Sequence, residues 1–418
     1  MNQNGMLRKF GLFISAIGPG LFMIGYNIGT GSVTTMASAG SRYGMGLFWT
    51  LLFSCIFTYV MIISFGRFTL VSGETSLRAF RKHLPFGNAI AIYLIIGMSI
   101  GALAGLAGII GIVSELISEW TKVLFGGDGV SMLVVAIVIL SICYYLLWIG
   151  KYSGFEKLLS SLVLIMGGCF ILSMFMVIPA PKDIIVGMMP SIPDEPNAFL
   201  IIAAMTGTTC GAMLFVMRSI IVSEKGWTID DLDKEKRDAM VSVTIMLILS
   251  GVIMACAAGT LYVMDIPVER TIDMVKTLEP IAGRFAMTIF VIGIIGAGVS
   301  SVFPVAIVLP WFISDYAGTD RNPKSSTFRI IAAVSLLAGL TVPVLGGRPV
   351  WVMIGSTAFQ STLMPIVTLG MFFLINNKKL MGKHTPGFWL NAGIVSTILF
   401  GFATGFMGIV GLIKTFTG

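Results

Sequence analysis

Charge is scarce in this chain. Of 418 residues, 11% are Asp, Glu, Lys or Arg and 56% are hydrophobic, whereas a soluble domain carries about a quarter charged residues. With a mean hydropathy of +0.95, water is not its main solvent. Histidine is scarcer still. His83 and His384 both fall between apolar runs, which leaves no intramembrane histidine relay. Cys55, Cys143, Cys169, Cys210 and Cys256 lie inside apolar runs without a CxxC pair, a pattern that excludes a disulfide framework and a zinc site. Segments of about 10 alternating residues, the signature of a membrane barrel, are missing. The spans hold no spaced Ser/His, paired Asp or HExxH constellation, so the chain is not read as an enzyme and no cofactor is implied.

Long apolar runs are what is there. A hydrocarbon core about 30 Å thick needs roughly 20 apolar residues per helix, and such runs fall near residues 10–38, 46–71, 88–117, 130–149 and 156–178. A second set lies near 197–222, 238–264, 283–313, 328–345 and 350–375, with an eleventh near 388–413. The formal net charge of +7 resides in short connections and reads as a topology signal, so no nucleic-acid partner is expected. Most Lys and Arg fall on one side. That bias predicts a multi-pass protein of the cell membrane with a cytoplasmic amino terminus and an external carboxyl terminus. After Arg8 and Lys9 no small-residue cleavage site follows, so the first span is read as retained. No connection is long enough to bury a separate core. One transport domain is expected over 1–418, with repeats at about 10–178 and 197–375. The expected partners are the lipid bilayer and a small-molecule or ion substrate, with no obligatory protein partner.

Two spans should break. Gly25–Ser32 in the first span clusters glycine with Asn27, Thr30 and Ser32, and Thr206–Gly211 in the sixth does the same with hydroxyls and Cys210. Unwound backbone survives in a membrane only where it lines a cavity or is buried in protein. Small residues also permit close helix packing, but matched interruptions in the two halves point to a transporter site. The site candidates are Asn27, Gly29, Thr30, Gly31, Ser32, Thr206, Gly207, Thr208, Thr209 and Cys210; the hydroxyls and Asn27 have capping of the broken ends as an equal alternative. The glycines of the third span, Gly97 to Gly111, are spaced for packing. Ser223–Asp238 alternates in sign, which reads as a solvated helix start or, more sharply, as a latch through Lys236 and Arg237.

GPG at 18–20, AGSRYG at 39–44 followed by LFW, SGET at 72–75, SEKGW at 223–227, GRPVW at 347–351 and AFQSTLMP at 358–365 together resemble the Nramp family of divalent-metal transporters. The likeness is nearer to its divergent bacterial relatives. It implies an all-α, LeuT-like fold: a five-plus-five inverted repeat plus an eleventh helix, with helices 1 and 6 broken at mid-membrane. It also implies alternating access, and it adds Gln360 in the tenth span as a glutamine near the site.

The family's Asp-Pro-Gly-Asn turn and Met-Pro-His segment are replaced here by Gly29-Thr30-Gly31-Ser32 and Thr206–Cys210. Carboxylate, thioether and histidine are absent from the matched positions, and no acidic residue is expected inside a span. Mn²⁺ and Fe²⁺ favour those missing ligands, while Mg²⁺ keeps several of its waters. The expected cargo is therefore a divalent cation, Mg²⁺ ahead of Mn²⁺ or Fe²⁺, at a weak or hydrated site of Asn27, Thr30, Ser32, Thr208 and Gln360. The alternative is a small organic solute such as an amino acid or carboxylate, because Gly29-Thr30-Gly31 is similar to the carboxylate-receiving turn of the wider superfamily.

Overall fold

Lipid offers the backbone no hydrogen-bond partners, so a spanning segment must satisfy its own, as a helix does. A computed structural model describes residues 29–149, 153–195, 197–279, 283–319 and 321–417, with side chains for all but 153–164, 284 and 416. Every regular element among the described residues is helical. The chain runs through α1 (Thr30–Tyr43), α2 (Phe48–Ser72), the short amphipathic α3 (Ser76–His83), α4 (Gly87–Phe125), α5 (Met132–Ile149), α6 (Ser153–Met176) and α7 (Pro181–Gly187). It continues through α8 (Ala198–Thr209), α9 (Ala212–Glu224), α10 (Leu232–Ala257), α11 (Ala286–Ala317), α12 (Ser326–Leu337), α13 (Pro349–Ile375) and α14 (Phe388–Thr417). Nine helices among the described residues are long and apolar enough to cross a membrane, counting α8 with α9 as one. The last part of α6, Ile165–Met176, and α7 form a bent pair at 118°.

Burial sorts these helices. In the α8–α9 span 89% of the most apolar stretch is buried, against 22% in α5, so α8–α9 is the central helix and α5 faces lipid. α8 packs on α13 and α14, and α13 packs on α4. The α8–α13 approach depends on Gly207, where a Cβ would strike the Thr357 carbonyl oxygen.

Around the two spans expected to break, three boundaries differ from expectation. Gly29 is the N-cap of α1, so Thr30, Gly31 and Ser32 are helical rather than unwound; the expected break at 25–28, with Asn27, lies outside the described residues. Helix α1 also passes the expected end at Ser38 and reaches Tyr43, where Gly44 at φ 54° stops it. In the sixth span Thr206–Thr209 stay in α8, and only Cys210 and Gly211 leave the helix. Two residues suffice because Gly211 turns to an extended ψ of 147° and carries no side chain into the opening.

Candidate functional site

The start of α1 faces the break between α8 and α9. Ser32 Oγ and Thr208 Oγ1 are 3.1 Å apart and join α1 to α8 by a hydrogen bond. Beside them lies a cavity of about 70 Å³. Gly29, Gly31 and Ser32 supply one wall, and Gly207, Thr208, Gly211, Met213 and Leu214 another. α4 contributes Gly101, Ala102, Gly105 and Ile109; α11 contributes Ser301 and Val305; α13 contributes Met353, Ser356, Thr357 and Gln360.

An α-helix turns 100° per residue, so neighbours in the broken stretches cannot all face one cavity. Gly29, Gly31, Ser32, Gly207, Thr208 and Gln360 do face it. Thr30 is fully buried on another side, its Oγ1 3.1 Å from where a Cβ on Gly298 of α11 would lie. Thr206 turns its hydroxyl back to the Ile202 carbonyl at 3.0 Å. Thr209 faces α2, where its carbonyl accepts from Thr58 Oγ1 at 2.9 Å. Cys210 is fully buried off the cavity, as a packing thiol would be.

Among the lining side chains that carry a hydroxyl or a thioether, Met213, Met353, Ser356 and Thr357 escape a reading centred on the broken spans. The three on α13 carry a periodic signal. Met353, Ser356, Thr357 and Gln360 follow the i, i+3, i+4, i+7 spacing of one helix face, polar at three of four positions in an apolar span. Gly101 and Gly105, expected to serve packing, line the cavity as well; a Cβ on Gly101 would lie 2.8 Å from Gln360 Cγ, so this glycine makes room for the glutamine stem. The thioether missing from the matched sixth-span stretch is supplied from elsewhere. Met353 Sδ lies 3.3 Å from a Cβ position on Gly31, and Met213 is a second methionine lining the cavity.

Among the described residues no ionised side chain lines the cavity, and no group of three His, Cys, Asp or Glu stands together. The wall offers neutral hydroxyl, amide and thioether donors. The α1 and α9 N-termini bring partial positive charge to the region and the α8 C-terminus partial negative charge.

The expectation that no acid lies within a span is corrected nearby. Helix α10 begins at Leu232, before its expected start near 238, which draws Glu235 and Asp238 into the protein. Glu235 is fully buried and takes a forked contact from Arg218 of α9, with Nε at 2.9 Å and Nη2 at 2.5 Å. Arg218 Nη1 lies 2.6 Å from Asp238. Gly66 of α2 makes room, since a Cβ there would run into the Glu235 carboxylate. Lys236 instead pairs with the exposed Asp233.

Against this geometry, the model of the Nramp family, described as natural resistance-associated macrophage protein-like, matches residues 20–411. The chain belongs to the Nramp family. It is a multi-pass membrane transporter of that family. It is 24% identical over 389 residues to the divalent metal cation transporter MntH of Pectobacterium carotovorum, covering 90% of this chain and 89% of that protein. It is 23% identical over 405 residues to the natural resistance-associated macrophage protein 2 homolog of Dictyostelium discoideum, covering 91% of this chain and 61% of that longer protein. Among solved structures, a mutant of the Eremococcus coleocola manganese transporter matches with a TM-score of 0.72 at 13% identity, over 96% of this chain and 87% of that one. A nucleobase-cation-symport-1 family transporter in a closed conformation matches at 0.60 and 13% identity, over 95% and 89%. The Nramp fold is thus shared across the chain, and the cavity of this Nramp protein sits where the start of α1 meets the break between α8 and α9.

Proposed function

We propose that this Nramp protein carries a divalent metal cation across the cell membrane by alternating access, with the ion held at the Ser32–Thr208 cavity and partly hydrated. The observation that carries this reading is the cavity's size with its polar wall. About 70 Å³ is far below the roughly 300 Å³ at which small-molecule sites begin, and this weighs against an amino acid or similar organic solute. It has room for a few waters. An ion here keeps part of its shell and exchanges the rest for Ser32, Thr208, Ser356, Thr357 and Gln360 oxygens. The relatives named for divalent metal and manganese transport support the same class.

A wall without carboxylate favours a cation that retains water, so Mg²⁺ stands ahead of Mn²⁺ and Fe²⁺. The thioethers of Met213 and Met353 favour the softer ions and give Mn²⁺ a foothold. The two halves, about 10–178 and 197–375, act as repeats of one transport domain, with 388–413 outside them, the amino terminus cytoplasmic and the carboxyl terminus external.

Calorimetry on the purified protein separates these statements. Saturable Mg²⁺ binding is expected, with Mn²⁺ competing. Changing Met353 to Leu should weaken Mn²⁺ about fivefold and leave Mg²⁺ unchanged, the loss of one weak neutral ligand. Binding of an amino acid with indifference to both metals would overturn the reading.

A further inference from the structure

Glu269, far from the cavity, is gripped from three directions. Arg42, on the last turn of α1, meets one carboxylate oxygen. Arg348, just before α13, donates to the other at 3.1 Å, and Trp351 Nε1, on the first turn of α13, donates to it at 2.8 Å. The Arg42 guanidinium also lies over the Trp351 ring, 5.2 Å from its centroid. Beside this hub, Ser41 Oγ accepts from the Val268 backbone at 3.1 Å. These contacts join the ends of two helices whose other portions line the cavity: α1 begins at it, and α13 presents Met353 to Gln360 to it.

The segment holding Glu269 is itself moored to a third wall. Thr271 donates its hydroxyl to Glu115 of α4, and Asp273 accepts from the backbone N–H groups of Glu269 at 3.2 Å and Arg270 at 2.9 Å. Helix α1 is a lever about 20 Å long, with Ser32 at one end and Arg42 at the other. If its Arg42 end swings away from α4 and α13, the Glu269 contacts must break first.

The geometry points to Glu269 as the bolt of the gate at this end of the transporter, a positioning residue that holds the cavity shut by locking α1 to α13. This rests on the alternating-access reading but not on the identity of the cargo. The bolt suits a moving part. Glu269 keeps 36% of its side chain exposed, Arg348 71% and Arg42 16%, so water already reaches the cluster and can replace the partners when they separate, at the smaller cost of partly exposed pairs.

The test is thiol labelling in membranes. Ala102, on the cavity wall, is changed to Cys in a background with the five native cysteines replaced, and a membrane-impermeant maleimide is added to the face that carries residue 417. Glu269→Gln and Arg42→Gln should each label about tenfold faster from that face, the scale set by loss of a multiply bonded but partly solvated ion pair. Arg42→Lys, which keeps the charge, should stay within about twofold. Should Glu269→Gln fail to insert, Trp351→Phe keeps the ring, removes one donor, and should label about threefold faster, as a single hydrogen bond allows. Labelling unchanged in all of these variants, or accelerated only from the opposite face, would overturn the proposal. Failure of divalent-cation binding would leave the labelling result intact, so the two readings fail separately.

Discussion

Two clusters of the same chemistry, arginine against carboxylate, stand at opposite ends of this molecule and differ in their access to water. Arg218 with Glu235 and Asp238 is sealed in protein, Arg218 with 1% and Glu235 with none of its side chain exposed. Arg348 with 71%, Glu269 with 36% and Arg42 with 16% of their side chains exposed keep partial contact with water. A buried pair cannot part without stranding a charge, so the first cluster fastens α9 to α10 permanently. A partly solvated pair exchanges protein partners for water at small cost, so the second can open and close. Solvation, more than the number of contacts, sorts the fixed joints of a transporter from its moving ones.

The largest effect should come from breaking the sealed cluster. Arg218→Met leaves Glu235 and Asp238 facing each other without a cation and should cost about 3–5 kcal/mol, read as a collapse of thermal stability in detergent. If Arg218→Met melts like the wild type, the cluster is wetter than its burial implies and the contrast fails. Next is Gly207→Ala, whose new methyl meets the Thr357 carbonyl. A loss of about 1–3 kcal/mol is expected for overpacking, together with loss of transport. Gly31→Ala sharpens this prediction, because its methyl meets the pliable Met353 Sδ at 3.3 Å, and the stability loss should stay under about 1 kcal/mol.

Glu269→Gln should cost no more than about 1.5 kcal/mol of stability, the equivalent of its tenfold labelling change, well below the Arg218 loss, while changing access to the cavity. The smallest effect is that of pH. Burial alone would raise the Glu269 carboxyl, but hydrogen bonds from Trp351 and Arg42 and the charges of Arg42 and Arg348 outweigh it and hold the group below its ordinary value. A depressed carboxyl contributes fully above the unfolded value of about 4.3 and loses its contribution as pH falls through the lower native one. Labelling of the closed gate should therefore be flat from about pH 8 to about pH 5 and rise only in stronger acid. A rise near neutral pH would show that another group controls the gate.

Much of the architecture was legible in the pattern of apolar runs, since a helix in lipid must be long and continuous in its hydrophobicity. The interruption in the sixth span was legible too, because glycines and hydroxyls clustered at mid-depth have few other uses. Its extent was not: Thr206 and Thr209 remain helical, with Thr206 returning its hydroxyl to Ile202, and composition does not distinguish a threonine that breaks a helix from one that stays within it. The cavity wall was legible on α1 and α8, where Ser32 and Thr208 meet, and at Gln360. Met353, Ser356 and Thr357 carried a helical-face signal in the tenth span, whereas Met213 carried none, because only the packing of α9 turns it inward. The buried acids of α10 were hidden by their charged neighbours. Glu235 and Asp238 sit in a run of alternating sign that reads as solvated, and only Arg218, far away in sequence on α9, explains their burial.

Uptake into proteoliposomes tests the central claim most directly, comparing the wild type with Thr208→Val, which keeps the side-chain shape and removes the hydroxyl that meets Ser32. The account predicts saturable Mg²⁺ uptake with competition by Mn²⁺ in the wild type, and a fall of at least about tenfold in a Thr208→Val protein that folds normally, the scale of losing a polar partner in the cavity wall. Equal divalent-cation uptake by the two proteins, or none by either, would contradict it.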